Sequence, residues 1–233
     1  MINPKEFLEN EGYLIIPNVF SQQEVACIQS LLNSKIDPCA EGTAIHATRK
    51  ILHEIPSLAA LIKPGLQKYF DPILPGSKYF PVKSIYFDKP AHSNWFVSYH
   101  QDLTISVSKQ VATPKYSKWT KKNGYFSVQP PIELLQQVYT CRIHLDNTTG
   151  DNGALRVVPG SHKQGLIPPD QFDQYRTKEV ICNVPAGGIM IMQPLILHSS
   201  GRSKGGLSRR VLHIEYAAMD LPGELEWEEK IIL

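Results

Sequence analysis

Short strand-like segments follow one another through most of the chain after residue 78, and they constrain its fold more than any other feature. They are rich in β-branched and aromatic residues, and Gly or Pro interrupts the chain between them. These segments are residues 80–87, 95–105, 138–145, 155–158, 179–183, 188–193 and 210–217. Because no helical pattern separates them, these segments indicate a sandwich or barrel. Among these we predict a mainly β protein with flanking helices, folded as a double-stranded β-helix, the cupin-like jelly roll.

The N-terminal part of the chain has the pattern of helices instead. Pro4–Asn10 predicts a short helix with Pro in its first turn. Ser21 and Glu24 have the spacing of a capping box, so we expect a helix that begins there and runs to about Ser34. A third helix is predicted over residues 57–69.

These patterns predict a single domain over residues 1–233, with a helical supporting layer at 1–75 and a jelly-roll core at 76–220. An insert at about 107–137 interrupts the core and is expected to be irregular. It is either a solvated basic loop or a lid over the mouth of the barrel whose aromatic side chains contact substrate. Its lysines and aromatic residues are Lys109, Lys115, Lys118, Lys121, Lys122, Tyr116, Trp119, Tyr125 and Phe126.

The composition argues against several classes of partner and location. Lys and Arg (24) nearly balance Asp and Glu (22), so we expect no nucleic-acid partner and no attraction to an anionic membrane. No apolar run is long enough to span a bilayer, and the first residues lack the features of a signal peptide. The cysteines form no C-x-x-C pair and predict reduced thiols in a cytoplasmic protein; they are Cys27, Cys39, Cys141 and Cys182.

Three residues have the types and positions of a metal-binding set. His100 and Asp102 are two residues apart within a predicted strand, which places them on one face. Burial of an imidazole and a carboxylate together is costly without a metal or a partner. His198 follows an apolar run and can supply a third ligand. Two histidines and one carboxylate leave coordination positions open, an arrangement that suits non-haem Fe(II).

Arg209 and Arg210 enter the last predicted strand on opposite faces. One of them can therefore enter the barrel, where a guanidinium would bind a carboxylate through two parallel hydrogen bonds. Metal ligands together with an inward arginine are what a dicarboxylic co-substrate requires.

Five segments, taken together and in this order, resemble the phytanoyl-CoA dioxygenase family of Fe(II)/2-oxoglutarate-dependent oxygenases. They are Gly12–Phe20, Tyr99–Asp102, Asp151–His162, His198–Ser200 and Ser208–Arg210. The resemblance implies that His100, Asp102 and His198 hold Fe(II). It also implies that O₂ and 2-oxoglutarate are consumed, that succinate and CO₂ are released, and that an unactivated C–H bond of a small-molecule metabolite is hydroxylated.

The same resemblance implies a co-substrate pocket. The 2-oxoglutarate arginine of the family lies eleven positions after the distal His, which selects Arg209, and Ser200 matches a residue that helps to hold the same carboxylate. Lys83 lies where related enzymes place a polar group that contacts 2-oxoglutarate. Thr140 and Arg142 are on the strand before the Asn-Gly signature, and both face the pocket if His144 does, because all three share the same parity.

Two other functions stay open at this stage. The first is a cupin-like metal-dependent isomerase or hydrolase, against which Arg209 and the signature at residues 151–162 argue. The second is a non-catalytic small-molecule-binding barrel, which the retention of all three ligands and the arginine makes less favoured. Within the signature, His162 is interpreted as a turn former rather than a metal ligand, because Asn-Gly and Pro-Gly are turn sequences.

Overall fold

The fold consists of antiparallel sheets with helices against one face. The structure is a computed structural model that describes residues 3–36, 47–74, 79–89, 96–122, 124–203 and 209–232. Its strands are β1 (Tyr13–Ile16), β2 (Ala47–Arg49), β3 (Phe80–Lys89), β4 (Val97–His100), β5 (Ile105–Val107), β6 (Ser117–Lys122), β7 (Tyr125–Gln129), β8 (Tyr139–His144), β9 (Leu155–Val157), β10 (Val180–Ile181), β11 (Ile189–Met192), β12 (His198–Ser200) and β13 (Arg209–Ala217). Its α-helices are α1 (Pro4–Glu11), α2 (Gln22–Lys35), α3 (Ile51–Glu54), α4 (Pro56–Ile73), α5 (Ile132–Leu135) and α6 (Phe172–Tyr175). The predicted residues Trp95, Cys39 and Ser208 lie outside the described part.

Two sheets form the jelly roll. The larger sheet has the order β1-β11-β8-β13-β3-β2, and the smaller has the order β10-β9-β12-β4. Met190 and Met192 on the larger sheet pack against Leu155 and Val157 on the smaller one, so the two sheets face each other. Strands were predicted correctly at 80–87, 138–145, 155–158, 179–183, 188–193 and 210–217.

The helices cover the outer face of the larger sheet. The capping box predicted at the start of α2 is present, with the backbone N–H of Glu24 donating to Ser21 Oγ at 3.2 Å. Apolar residues of α1 to α4 form one buried cluster with alternate residues of β13, among them Leu212 and Ile214. Strand alternation therefore places Arg209, Val211, His213 and Glu215 on the inner face, which the helices do not reach. No helix among the described residues is long and apolar enough to cross a membrane.

The strand predicted over residues 95–105 is wrong as one element. β4 ends at His100 and joins the smaller sheet, whereas β5 begins at Ile105 and joins a separate three-stranded sheet, β5-β7-β6. Between them the backbone N–H of Asp102 donates to the carbonyl of Pro194 at 2.9 Å. The chain leaves the smaller sheet here, because the backbone N–H of Asp102 bonds to the loop before His198 and not to a neighbouring strand.

The irregular loop predicted at 107–137 is also wrong. The segment contains the hairpin of β6 and β7 and the short helix α5. Tyr116, Trp119 and Phe126 pack against a buried cluster that includes Val107 and Trp227. The strand β6 was missed because nearly all of its residues are exposed. Its lysines therefore show no alternation of polar and apolar residues, and only Trp119 is partly buried.

A C-terminal segment that the sequence did not predict fastens β3 and β5. Trp227 forms a bridge with Val107, and Glu229 accepts hydrogen bonds from the backbone N–H of Ser84 at 2.8 Å and from Ser84 Oγ at 2.5 Å. Burial raises the pKa of Glu229. The hydroxyl of Ser84 in turn accepts from the N–H of Leu52, so this carboxylate connects the end of the chain to α3 and the larger sheet.

We predict that Glu229→Ala lowers the free energy of unfolding by about 1–3 kcal/mol, because it leaves the buried N–H and hydroxyl of Ser84 without an acceptor. Urea unfolding followed by circular dichroism measures this change. Glu224→Ala, at an exposed position of the same segment, is the matched control and should leave the unfolding midpoint unchanged. Equal midpoints for the two variants would contradict the structural role of Glu229.

Candidate functional site

The three residues predicted to bind metal lie together between the sheets. His100 ends β4 and His198 begins β12, and the two are directly paired across the smaller sheet. The Nε2 atoms of His100 and His198 are each 3.8 Å from an oxygen of the Asp102 carboxylate. All three ligand atoms lie within 4.8 Å of one another. This spacing allows one ion to contact all three.

Backbone carbonyls orient both imidazole rings. Nδ1 of His100 is 2.9 Å from the carbonyl oxygen of Ser98, and Nδ1 of His198 is 2.8 Å from that of Ile196. A carbonyl only accepts, so each Nδ1 carries the proton and each Nε2 presents its lone pair on the side of Asp102. Metal-binding histidines commonly have such a partner on the second nitrogen. The residues therefore fit a metal ion.

The electrostatic surroundings favour the metal-binding protonation states. Burial alone would raise the pKa of Asp102, but electrostatic interactions with His198, His213, Lys83 and His100 together lower it to about 2. Burial lowers the pKa of His198 to about 4. At neutral pH the carboxylate is therefore ionised and the His198 ring is neutral, as coordination requires.

Two residues that sequence reasoning did not assign hold the ligand-bearing segments in place. Gln101 faces away from the metal ligands, and its Nε2 donates to the carbonyls of Gly165 and Leu195, each at 2.7 Å. The Oγ of Ser161 accepts from the backbone N–H of Leu197 at 2.8 Å, next to His198. The available sequence signal was a polar residue between His100 and Asp102, on the opposite face of the strand from these two metal ligands.

Arg209 lies on the inner face and is 4% exposed. Its Nη1 donates to the carbonyl of Gly153, which has a positive φ of 83° as the Asn-Gly turn predicted. Its Nε has no hydrogen-bond partner within the described residues, and neither does the buried Oγ of Ser200. Burial, followed by the charge of Arg142, lowers the pKa of Arg209 to about 9, so it is still a cation at neutral pH.

Arg210 faces the opposite way. Its Nε and Nη2 donate to the two oxygens of Asp146 at 2.9 and 2.7 Å. This bidentate pair uses the guanidinium outside the barrel. Of the two adjacent arginines, only Arg209 has donors available on the inner face.

The other three residues predicted to line the co-substrate pocket are also on the inner face. Lys83 Nζ donates to Glu215 Oε1 at 2.6 Å, and Arg142 Nη1 donates to His213 Nδ1 at 2.9 Å. Thr140 Oγ1, by contrast, is buried without a partner in the described residues. Lys83 and Arg142 thus each have a side-chain partner, whereas Thr140 has none in this part of the structure.

Lys89 is a further buried cation that the sequence reasoning missed. It is paired across the strands with Arg209, and its Nζ donates to the carbonyl of Gly201 at 3.0 Å. Burial and the charge of Arg209 lower its pKa to about 8. Strand alternation was the available signal, because Lys83 and Lys89 have the same parity on β3. The parity of Arg209 likewise places His213 and Glu215 inside.

His162 lies away from this set of ligands. Its Nε2 is 3.2 Å from the carbonyl oxygen of Glu9 at the end of α1. Gly12 packs directly against the ring and has a φ of 80°, so a side chain there would collide with His162. The histidine of the signature therefore joins its turn to the N-terminal helix. Its role is structural, as the prediction of a turn former requires.

Comparison with known proteins assigns the chain to a family. A family model described as phytanoyl-CoA dioxygenase (PhyH) matches residues 8–211, most of the chain. The chain belongs to the phytanoyl-CoA dioxygenase family. A similar member is the ectoine dioxygenase of Stutzerimonas stutzeri (strain A1501), which is 26% identical over 198 residues. That alignment covers 76% of this chain and 57% of the ectoine dioxygenase, so the chain spans little more than half of that relative.

The chain shares its fold with several solved structures. The carbocyclase SnoK from nogalamycin biosynthesis matches with a TM-score of 0.68 and 16% identity, over 93% of this chain and 83% of SnoK. EctD from S. alaskensis with 2-oxoglutarate and 5-hydroxyectoine matches with a TM-score of 0.68 and 18% identity, over 92% and 74%. HygX from Streptomyces hygroscopicus with iron bound matches with a TM-score of 0.65 and 16% identity, over 93% and 86%.

We predict that His100→Ala weakens Fe(II) binding by at least about 100-fold, because loss of a ligand costs more than the roughly 10- to 100-fold typical of its outer partners. Anaerobic titration with Fe(II) measures the affinity. His53→Ala, at an exposed histidine outside the site, is the control and should bind as the unmodified protein does. Equal affinity of the two variants would rule out this metal site.

Proposed function

We propose that the chain is an Fe(II)/2-oxoglutarate-dependent dioxygenase that hydroxylates an unactivated C–H bond of a small-molecule metabolite and releases succinate and CO₂. The observation that carries this proposal is the combination of two features on one pocket. Three oriented ligands, His100, Asp102 and His198, fit a metal, and the Nε–H of Arg209, buried on the inner face of the larger sheet, has no partner among the described residues. An isomerase or hydrolase on the same barrel has no use for that second feature.

In this proposal each residue has a distinct part. His100, Asp102 and His198 hold Fe(II) on one side and leave positions open for co-substrate and O₂. Arg209 and Ser200 bind the far carboxylate of 2-oxoglutarate, which gives partners to two buried polar groups that lack them within the described residues. Lys83, Thr140 and Arg142 line the wall of the same pocket.

The protein contributes position and exclusion of water. When bound, the iron supplies the oxidising chemistry with O₂ and 2-oxoglutarate that side chains cannot perform. The apolar cluster around Met190 and Val157 closes one side of the space between the sheets. Gln101 and Ser161 hold the segments that carry the metal-binding side chains. The site is therefore organised before the metal or 2-oxoglutarate binds.

The relatives support a small-molecule substrate and no particular compound. The ectoine dioxygenase and the EctD complex with 5-hydroxyectoine concern small organic molecules. We place the enzyme in the cytoplasm, because the described cysteines Cys27, Cys141 and Cys182 are all free thiols. We propose neither a nucleic acid nor a membrane as partner.

Succinate formation from 2-oxoglutarate tests the proposal without knowledge of the primary substrate. We expect turnover that requires added Fe(II). In Arg209→Gln, the KM for 2-oxoglutarate should rise about 10- to 100-fold, because charge-assisted hydrogen bonds to its carboxylate are lost. Arg210→Gln, which alters the neighbouring arginine on the outer face, is the matched control and should keep the original KM. Turnover that is independent of iron, or an unchanged KM in Arg209→Gln, would refute the assignment.

A further inference from the structure

Arg142 is a buried guanidinium with no carboxylate partner among the described residues. It is 6% exposed, and its Nη1 donates to Nδ1 of His213. Arginine can only donate, so this ring nitrogen is unprotonated, and the proton of the neutral ring lies on Nε2, 3.4 Å from Glu215 Oε1. The Nε–H of Arg142 has no partner in the same part of the chain. Within the described part of the chain, no anion therefore contacts the guanidinium of Arg142 and opposes its charge.

Apart from Lys89, the buried cation paired with Arg209 at the other end of this face, the charges of the proposed iron and 2-oxoglutarate complex balance without Arg142. Lys83 and Glu215 form an ion pair and cancel. Asp102 and the metal-bound carboxylate of 2-oxoglutarate balance the two charges of Fe(II). Arg209 balances the second carboxylate. The positive charge of Arg142 is then left over, in a position where an uncompensated charge is costly.

Arg49, a second cation with no carboxylate partner among the described residues, lies at the edge of the same face. It is exposed on β2 and pairs with Ile85, which pairs with His213, which pairs with Arg142, so all four belong to one cross-strand row. Its guanidinium carbon lies 5.7 Å from the centre of the Tyr125 ring. Arg49 forms no ion pair with a carboxylate in the described residues. It lies within electrostatic reach of Lys83, where burial and Arg49 lower the pKa less than Glu215 and Asp102 raise it.

We propose that the primary substrate is a small organic anion whose carboxylate or phosphate group binds to Arg142, with Arg49 as a second positive contact at the rim. This inference rests on the proposed function, because the charge count includes iron and 2-oxoglutarate. The position of Arg142 fits recognition close to the reaction. Burial lowers the pKa of Arg142 to about 10 and Asp102 partly offsets this effect, so the Asp102 carboxylate lies within electrostatic reach of the guanidinium. The ring of Phe87 lies 5.7 Å from the guanidinium carbon and can contact the apolar part of such a substrate.

The hairpin of β6 and β7 contributes to this rim. Tyr125, at the start of β7, contacts Arg49 and also Lys50, whose charge is neutralised by Glu228. Lys122 pairs with Tyr125 across the hairpin and is exposed. The lysines of this segment thus add positive potential near Arg49, which favours the approach of anions.

Calorimetric titration of the protein loaded with Ni(II) and saturating 2-oxoglutarate tests the inference with three probes: acetate, inorganic phosphate and the neutral analogue acetamide. We expect acetate or phosphate to bind and acetamide not to bind, and the preferred anion identifies the chemical group. Arg142→Gln should weaken that binding about 10- to 100-fold, as loss of a charge-assisted hydrogen bond implies. Arg142→Lys, which keeps the charge, should retain part of the affinity.

Two exposed arginines extend the test to variants that do not disturb the core. Arg49→Gln should weaken binding of the same anion by less than about fivefold, as expected for a solvent-exposed contact. Arg176→Gln, which alters an exposed arginine paired with Asp173, is the matched control and should bind as the unmodified protein does. If Arg142→Gln does not fold, Arg142→Lys and Arg49→Gln decide the question.

The inference is overturned if neither anion binds, if acetamide binds as tightly as acetate, or if neither arginine variant changes the affinity. Binding of Ni(II) and of 2-oxoglutarate is measured first in the same protein. A protein that binds neither of them refutes the proposed function itself. A protein that binds both, but shows no anion affinity dependent on these arginines, refutes only the assignment of the substrate class.

Discussion

The placement of charge on the inner face of the larger sheet is the constraint on which the rest of the structure depends. Strand alternation sends the apolar residues of β13 to the helices and its polar residues to the space between the sheets. Lys83, Arg142, Arg209 and Glu215 are all buried or nearly so there. Charges in such a place must be paired or must bind ligands of opposite sign. The chain pairs some of them internally and leaves others available.

Rigidity of the metal ligands comes from groups outside the coordination site. Asp102 lies beyond the end of β4, so no sheet hydrogen bonds hold it. Its position is fixed by a hydrogen bond from its own N–H to the carbonyl of Pro194. The preceding Gln101 also helps, because its side chain bonds to two loops. Ser161 does the same for the segment that carries His198. The turn signature at residues 151–162 thus supports the metal site from outside the set of ligands. The carbonyl of its Gly153 also accepts a hydrogen bond from Arg209.

Sequence reasoning succeeded where one face of an element is apolar and the other polar. The capping box of α2 and the alternation of β13 are local patterns, so their consequences could be stated residue by residue. It failed at β6, where both faces are largely exposed and the lysines carry no periodic signal. It failed again between His100 and Ile105, because a strand pattern does not reveal where a chain changes its partner. Glu229 was missed because a single carboxylate near the C-terminus has no local signature of burial.

The sequence by itself determined the fold class, the order of most strands and the identity of the three candidate metal ligands, because these depend on periodicity and on residue types at fixed spacing. Only the tertiary structure decided which donors are already used. Arg210 is taken by Asp146 and Lys83 by Glu215, whereas the Nε–H groups of Arg142 and Arg209 have no partner within the described residues. Hydrogen bonds and charge balance depend on distances between residues far apart in the chain, and spacing along the sequence does not contain them.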